Sequence, residues 1–274
     1  MIGPDNGYVS LNPTLSINLQ SPNNGGALSK LPVREALEYA MNKTAASQIY
    51  GGSVVSQPLN QIIPPGSVGY GLYPETYPTN GNSGDPAKAK QLLASAGYQP
   101  GQITLNLVYR TTGVHQQLAT TDQAALQAAG FNVNLIAATP ANTFYTKYVQ
   151  NPTASKSGSW DIAETGWIPD WFGNNGRSVI VPLFDGRSYG ANSTDYGDYN
   201  STTVNGYIDA ALAATSVSTA THNWQLAAQQ IMKDAAVVPM GAQKQAMYHS
   251  TRTQNPIFWT FSQNFDVTNV WLNG

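Results

Sequence analysis

Apolar and polar residues alternate near the amino end. Tyr8, Val9 and Leu11 are followed by Leu15, Ile17 and Leu19 across Gly7 to Gln20, which is the period of a strand. Ser21-Pro22-Asn23-Asn24-Gly25-Gly26 then reads as a loop. From Leu31 the spacing lengthens. Val33, Ala36, Leu37, Ala40 and Met41 share one helical face, Pro32 sits in the first turn, and Gly51-Gly52 marks the stop. Residues 53–84 carry Pro58, Pro64, Pro65, Pro74 and Pro78 with aromatic residues between them. An irregular stretch of that length needs either something to pack on or a function.

Asp85-Pro86 predicts a helix with an acidic N-cap and a first-turn proline, its apolar face Ala89, Leu92, Leu93 and Ala96, ending at Gly97. Ile103 to Tyr109 reads as a strand, Val114 to Ala129 as a helix stopped by Gly130, and Phe131 to Ala137 as a second strand. That order predicts a βαβ unit with a parallel pair and a right-handed crossover. A helix near Pro140 to Tyr148, a strand from Trp160 to Thr165 and a Gly- and Asn-rich loop follow. Helices over Thr203 to Ala214 and Thr219 to Ala235 come next, then strands at Val237 to Met240 and Lys244 to Tyr248. No internal repeat or low-complexity linker divides the chain, so one α/β domain is expected.

Composition narrows the function. Charged residues make up only 10% of the 274 residues, against about 25% in ordinary domains, and uncharged hydrogen-bonding residues fill the deficit. The net charge of −2 comes without a basic stripe, which excludes a nucleic-acid footprint. No apolar run approaches the ~20 residues that span a bilayer. The absence of cysteine excludes disulfides, thiol catalysis and thiolate zinc sites, and fits a secreted protein. Met1-Ile2-Gly3-Pro4 leads straight into polar chain with no basic-then-apolar leader. The expectation is a cytosolic protein or one whose signal sequence lies outside this chain.

No phosphate-binding Gly-rich loop, GxSxG elbow or paired-His metal helix is present. His115, His222 and His249 fall in three different elements, and surface or half-buried histidine is the expectation for each. Asp161 and Glu164, three apart on a strand, should point to opposite faces, which argues against a shared site. Asp195 and Asp198 could form a calcium loop, but a turn that caps the helix beginning near Thr203 is the preferred reading. The segment from Gly166 through Trp167, Asp170, Trp171, Phe172, Asn174 and Asn175 to Arg177 is the richest in binding chemistry. It follows a strand, where α/β domains meet ligands. Tryptophan offers a wall, Asp an acceptor for an ammonium, and Asn or Arg donors to carbonyl or carboxylate groups. Equally, the tryptophans could plug the core and the polar residues serve turns.

An ordered series of motifs resembles the family 5 extracellular solute-binding proteins, the peptide- and nickel-binding components of ABC importers. The series begins with Val33-Arg34-Glu35-Ala36-Leu37 and Tyr39-Ala40-Met41-Asn42-Lys43, then Ile63-Pro64-Pro65-Gly66. Asp85-Pro86-Ala87-Lys88-Ala89-Lys90-Gln91-Leu92-Leu93 with Ala96-Gly97-Tyr98 follows, then Trp160-Asp161-Ile162-Ala163 and Gly166-Trp167-Ile168-Pro169-Asp170. Met232-Lys233-Asp234-Ala235, Val238-Pro239 and Asn269-Val270-Trp271 close it.

The resemblance implies α/β architecture: the C-terminal lobe of a type II periplasmic-binding-protein fold, a mixed sheet flanked by helices. Residues 1–274 are then one lobe of a two-lobed protein, with 1–30 the lead-in strand and loop and 269–274 the closing segment. The N-terminal lobe, which carries the signal sequence, lies outside this chain. The implied role is an extracytoplasmic binder, not an enzyme, that feeds peptides or other amine-bearing solutes to an ABC permease, without cofactor or metal. Its contact with the membrane is through the transporter or a lipid anchor. Asp170 would pair with the ligand's amino terminus and Trp167 wall the cleft, with Trp171, Asn175 and Arg177 beside them. Arg177 either meets a ligand carboxylate or braces the loop. The family often follows that Asp with an acidic residue or Asn and a Pro, whereas this chain has Phe172-Gly173-Asn174, so peptide is a default ligand class. Two alternatives remain: a secreted glycoside hydrolase using Asp161, Asp170 or Glu164, and a sensing module on the same fold.

Overall fold

The computed structural model describes residues 8–71, 73–169, 176–244, 248–259 and 264–274. Its organising element is the ten-residue strand β1, Tyr8–Ile17. On one side β1 pairs antiparallel with β5, Ile162–Trp167, in a register that sets Leu15 opposite Glu164 and Ile17 opposite Ile162. On the other it pairs antiparallel with β6, Val237–Pro239, and with β7, Gly241–Lys244. Beyond β5 lie β3, Thr104–Arg110, and β4, Asn132–Ala138, both parallel to it, and β2, Ser56–Pro58, closes the far edge against β7. The result is a mixed seven-stranded sheet, with β3 and β4 the expected parallel pair.

Two buried apolar layers cover the faces. One holds Leu15, Ile17 and Leu107 under helices α2 (Leu31–Ala40), α3 (Lys43–Ile49), α4 (Pro86–Ser95) and α5 (His115–Ala128). The other holds Leu11, Val108 and Trp160 under α7 (Gly176–Phe184), α8 (Thr202–Leu212) and α9 (Val217–Lys233). Adjacent Leu107 and Val108 serve opposite layers, as a two-residue period requires, whereas Leu11 and Leu15, four apart on β1, reach opposite layers across the register shift between Leu11 and Thr14. The short helices α1 (Asn23–Gly26) and α6 (Pro152–Lys156) lie in the connections. Two small two-stranded antiparallel sheets end the chain: β8 (Thr253–Gln254) with β11 (Trp271–Leu272), and β9 (Phe258–Trp259) with β10 (Asn264–Phe265).

Capping explains most boundaries. Asp85 accepts from Lys88 N at 2.9 Å and opens α4, as its position before Pro86 predicts. The single helix expected from Leu31 to the Gly51-Gly52 stop is two. Met41 is extended, and Asn42 accepts from Ala45 N at 2.9 Å to start α3. Pro140 to Tyr148, expected as a helix, is a 3₁₀ turn at Ala141–Thr143 followed by a π-helical turn at Tyr145–Val149. The final strand sits earlier than Lys244 to Tyr248, because β7 takes up Gly241 directly after β6. Its last expected positions, residues 245–247, lie outside the described residues. The stretch 53–84 is irregular as expected, and it packs: Leu59, Ile62, Ile63 and Tyr77 are buried.

One polar knot fastens the junction of β1 and β5. Asn18 is fully buried, its amide donating to Ser155 O at 2.9 Å and Trp160 O at 2.8 Å while its own N–H reaches Asp161 O at 2.8 Å. The Asp161 carboxylate accepts from Ser21 Oγ, from Asn23 Nδ2 at 3.1 Å and from Asn106 N at 2.7 Å. These bonds favour its ionised form, but burial outweighs them and pushes its pKa up. Truncating Asn18 to Ala removes the side-chain donor to the buried Trp160 carbonyl, while Ser155 O keeps the Gly158 N–H at 3.2 Å. Chemical denaturation of Asn18→Ala is expected to show a loss of roughly 1–3 kcal/mol at unchanged m-value.

Candidate functional site

Parallel β3 and β5 end on the same side of the sheet, and the turns that leave them enter α5 and lead to α7. Chain polarity therefore gathers side chains there, at the position where α/β sheets meet ligands.

Of the residues expected at the site, Trp167 ends β5 and is half-buried. Its indole Nε1 donates to Ser178 O at 2.6 Å, tying the strand end to the first turns of α7. It lines a small, partly open cavity of about 20 Å³, room for a water, together with Thr165, Asp195, Tyr196 and Tyr199. The plug reading thus holds for part of Trp167. Arg177 is exposed in the first turn of α7. Asp170, Trp171 and Asn175 lie outside the described residues. Two glycines frame the segment. A Cβ on Gly166 would strike the Asn12 side chain, and one on Gly176 would strike the Trp224 ring.

Asp161 and Glu164 keep separate company, as their spacing predicts. Asp161 belongs to the knot with Ser21, Asn23 and Asn106. Asp195 is buried, and one oxygen accepts from Tyr199 N at 3.2 Å while Oδ2 lacks a partner. The cap of α8 is Ser201, which accepts from Val204 N, so the turn at Asp195 precedes the helix without capping it. No group of three or more His, Asp or Glu that could hold a metal occurs among the described residues.

Sequence reasoning missed a second group. Glu164 shares the Ile162 face of β5, the face covered by α5, and its side chain is 2% exposed. His115, the first residue of α5, is half-buried as expected, but its Nδ1 stands 3.4 Å from Glu164 Oε2. Asp122 is buried two turns along the same helix. Arg110 ends β3 with its guanidinium 5.7 Å from the ring centres of both Phe144 and Tyr145. Tyr50, just past α3, brings its ring centre 6.5 Å from that of His115. Both Glu164 oxygens, Asp122 Oδ2, His115 Nδ1, Arg110 Nε and the Tyr50 hydroxyl are buried without a hydrogen-bond partner, a concentration native interiors rarely hold without purpose.

Electrostatics follow from that burial. Glu164 is held far above the ordinary carboxylate range by desolvation first and by the neighbouring Asp122 charge second, with Arg110 opposing. Desolvation likewise raises Asp122. The His115 imidazole is pushed down to about 4 by burial and by the Arg110 charge, so it is neutral at physiological pH. The cluster thus sets a fixed positive charge near a neutral imidazole and two acids whose burial favours their protonated forms.

This fold is that of a type II periplasmic binding protein. The structure superposes on the clavulanic acid biosynthesis oligopeptide binding protein 2 with a TM-score of 0.84 at 19% identity, over 98% of this chain and 47% of that one. It superposes on DppA from Helicobacter pylori, solved in complex with the peptide STSA, with a TM-score of 0.76 at 20% identity, over 98% and 48%. At these identities the likeness is one of fold. The chain belongs to the bacterial extracellular solute-binding proteins, family 5, whose middle-region profile matches residues 3–184. Among curated relatives, the periplasmic oligopeptide-binding protein OppA of Escherichia coli K12 is 28% identical over 155 residues, 56% of this chain and 26% of OppA. The glutathione-binding protein GsiB of Salmonella choleraesuis is 25% identical over 257 residues, 92% of this chain and 44% of GsiB. The chain spans less than half the length of these relatives.

Asp195 gives this region a pH signature. Burial raises its pKa to about 7 from an ordinary value of 3.8. Its contribution to stability is therefore full below the unfolded value and is lost as pH rises through about 7. Compared with Asp195→Asn by thermal unfolding, the wild type should lose roughly 2–3 kcal/mol between about pH 5 and pH 8. A constant difference between the two across that range would contradict the assignment.

Proposed function

We propose that the chain is the ligand-binding C-terminal lobe of an extracytoplasmic solute-binding protein that hands peptides or related amine-bearing solutes to an ABC permease. The observation that carries this reading is the pairing of two coverages. Family 5 similarity runs through residues 3–184, and the fold likeness takes in nearly the whole chain but only about half of each neighbour. Oligopeptides, glutathione and the STSA peptide, the ligands in the relatives' names and titles, all carry a free amine and a free carboxylate.

In this reading the ligand lies between this lobe and the remainder of a two-lobed protein. Asp170 receives its amino terminus, Trp167 forms a wall, and Trp171, Asn175 and Arg177 stand at the mouth. The lobe acts by binding and closure, without catalysis. Against a hydrolase stands the disposition of the acids: every donor around Asp161 is structural, and Glu164 is neutral and enclosed. A glycosidase pair needs an open cleft between two carboxyls about 5–10 Å apart.

Native mass spectrometry of the two-lobed protein should detect a co-purified ligand bearing a primary amine, and Asp170→Ala should abolish its retention. Unchanged retention in the variant would remove Asp170 from the site. A lone lobe supplies half of the contacts, so calorimetry of this 274-residue chain with tri-alanine should give no measurable heat or a Kd weaker than millimolar. Micromolar affinity would sink the single-lobe reading.

A further inference from the structure

We propose that Asn80 is a site of spontaneous chemical modification, at which ring closure onto Gly81 turns the asparagine into isoaspartate and aspartate. Isoaspartate is the methyl acceptor that isoaspartyl carboxyl methyltransferases recognise, so the loop is also a substrate site for that class of enzyme. Nothing in this depends on which ligand the lobe binds.

The reaction needs water and nothing else. The Gly81 backbone nitrogen attacks Cγ of Asn80 and a C–N bond forms. The side-chain nitrogen leaves as ammonia, taking up the proton that the Gly81 nitrogen gives up. Water then opens the cyclic imide at one of its two carbonyls. Opening at the main-chain carbonyl routes the chain through the side chain and yields isoaspartate, and opening at Cγ yields aspartate. Glycine in the second place favours closure, because no Cβ obstructs the approach of its nitrogen.

Three internal Asn-Gly pairs lie within the described residues, at 24–25, 80–81 and 205–206. The fold treats them differently. The Asn24 side chain is pinned at both ends to Thr104: Nδ2 donates to Thr104 O at 2.9 Å, and Oδ1 accepts from Thr104 N at 2.9 Å. Its Cγ cannot swing toward Gly25 while both bonds hold. Asn205 donates from Nδ2 to Asn200 Oδ1 at 3.1 Å, and Gly206 lies inside α8, where its N–H serves the helical ladder.

Asn80 and Gly81 are both exposed, in the 3₁₀ turn Asn80–Asn82. Among the described residues no hydrogen bond holds the Asn80 side-chain amide, and none occupies the Gly81 N–H. A Cβ added at Gly81 would meet nothing within 4 Å, so the space around this peptide is open. Asn82, two positions on, is restrained by contrast, its Oδ1 accepting from Asn60 Nδ2 at 2.7 Å.

What the structure does hold is the far side of the turn. Thr44 Oγ1 donates to Gly81 O at 2.7 Å, and Asp85 N donates to Tyr39 O at 2.6 Å. These bonds tie the loop to the break between α2 and α3 and leave the peptide that links Asn80 to Gly81 outside the ties. Isoaspartate lengthens the main chain by a methylene at that point, and either product adds a negative charge next to the start of α3.

The test ages the whole chain in mildly alkaline buffer, once folded and once in concentrated urea, and follows each Asn-Gly pair by peptide mapping with mass spectrometry. In urea the three pairs should convert at comparable rates. In the folded chain Asn80 should stay within about threefold of its denatured rate, while Asn24 and Asn205 slow by about tenfold or more, the protection that retained hydrogen bonds impose. Incubation with an isoaspartyl methyltransferase and labelled S-adenosylmethionine should then place label on the Asn80 peptide. Asn80→Gln should remove that label and leave the conversion of Asn24 and Asn205 unchanged. If the variant does not fold by circular dichroism, the wild-type maps decide alone. Protection of Asn80 equal to that of Asn24, or conversion of Asn24 or Asn205 as fast as Asn80 in the folded chain, overturns the assignment. Conversion at Asn80 without methyl acceptance overturns the isoaspartate step.

Discussion

The whole arrangement depends on how the end of β1 is fastened to the beginning of β5. β1 is the one strand shared by the antiparallel half of the sheet and, through β5, by the parallel half. Where the two halves meet, Asn18 and Asp161 replace what would be loose loop ends with a net of buried hydrogen bonds. Such a net is intolerant of slippage, because a shift of one residue would bury several polar groups unpaired and turn every β1 side chain to the wrong face. With β1 held, Leu11 feeds one apolar layer and Leu15 and Ile17 the other, and the helices have a defined surface on each side.

Position along β5 then determines chemistry. Asp161, Ile162, Glu164 and Trp167 are within seven residues of one another, yet each has a different task. They serve the knot, the α5-side core, the polar cluster and the tether to α7 respectively. The sheet's alternation separates Glu164 from Asp161, and the parallel neighbour β3 brings Arg110 to the end where Glu164 and Trp167 lie. Sub-sites a few residues apart in sequence are thus on opposite faces, while positions 115 and 164, distant in sequence, become neighbours.

Much of this was legible beforehand, and the exceptions have physical reasons. Local signals with their own mechanism read correctly: the Asp85 cap before Pro86, the Gly130 stop and the strand–helix–strand order around α5. Helix α7 was hidden because Gly176, three β-branched residues and Pro182 all argue against helix, and tertiary packing overrides them. The break at Asn42 was hidden because apolar spacing continues across it, while the cap that makes it depends on a single side chain. The polar cluster was illegible for a different reason. His115 and Glu164 are 49 positions apart and neither lies in a motif, so only the fold reveals that burial leaves both without ordinary partners. A charged residue predicted to face a covered side of a sheet was the one available hint, and Glu164 supplied it.

The buried acids alter how the molecule behaves as a charged particle. The sequence assigns a formal net charge of −2 and an isoelectric point near 5.8, both of which assume that every carboxyl is free to ionise. In the folded chain burial favours the protonated forms of Glu164 and Asp122, and it lifts both Glu38, enclosed beside Lys43, and Asp195 to about 7. The native molecule is therefore less negative at neutral pH than its unfolded form. Folding should be visible in an electric field: in a transverse urea gradient at neutral pH, the anodic drift of the denatured chain would weaken as the sheet assembles.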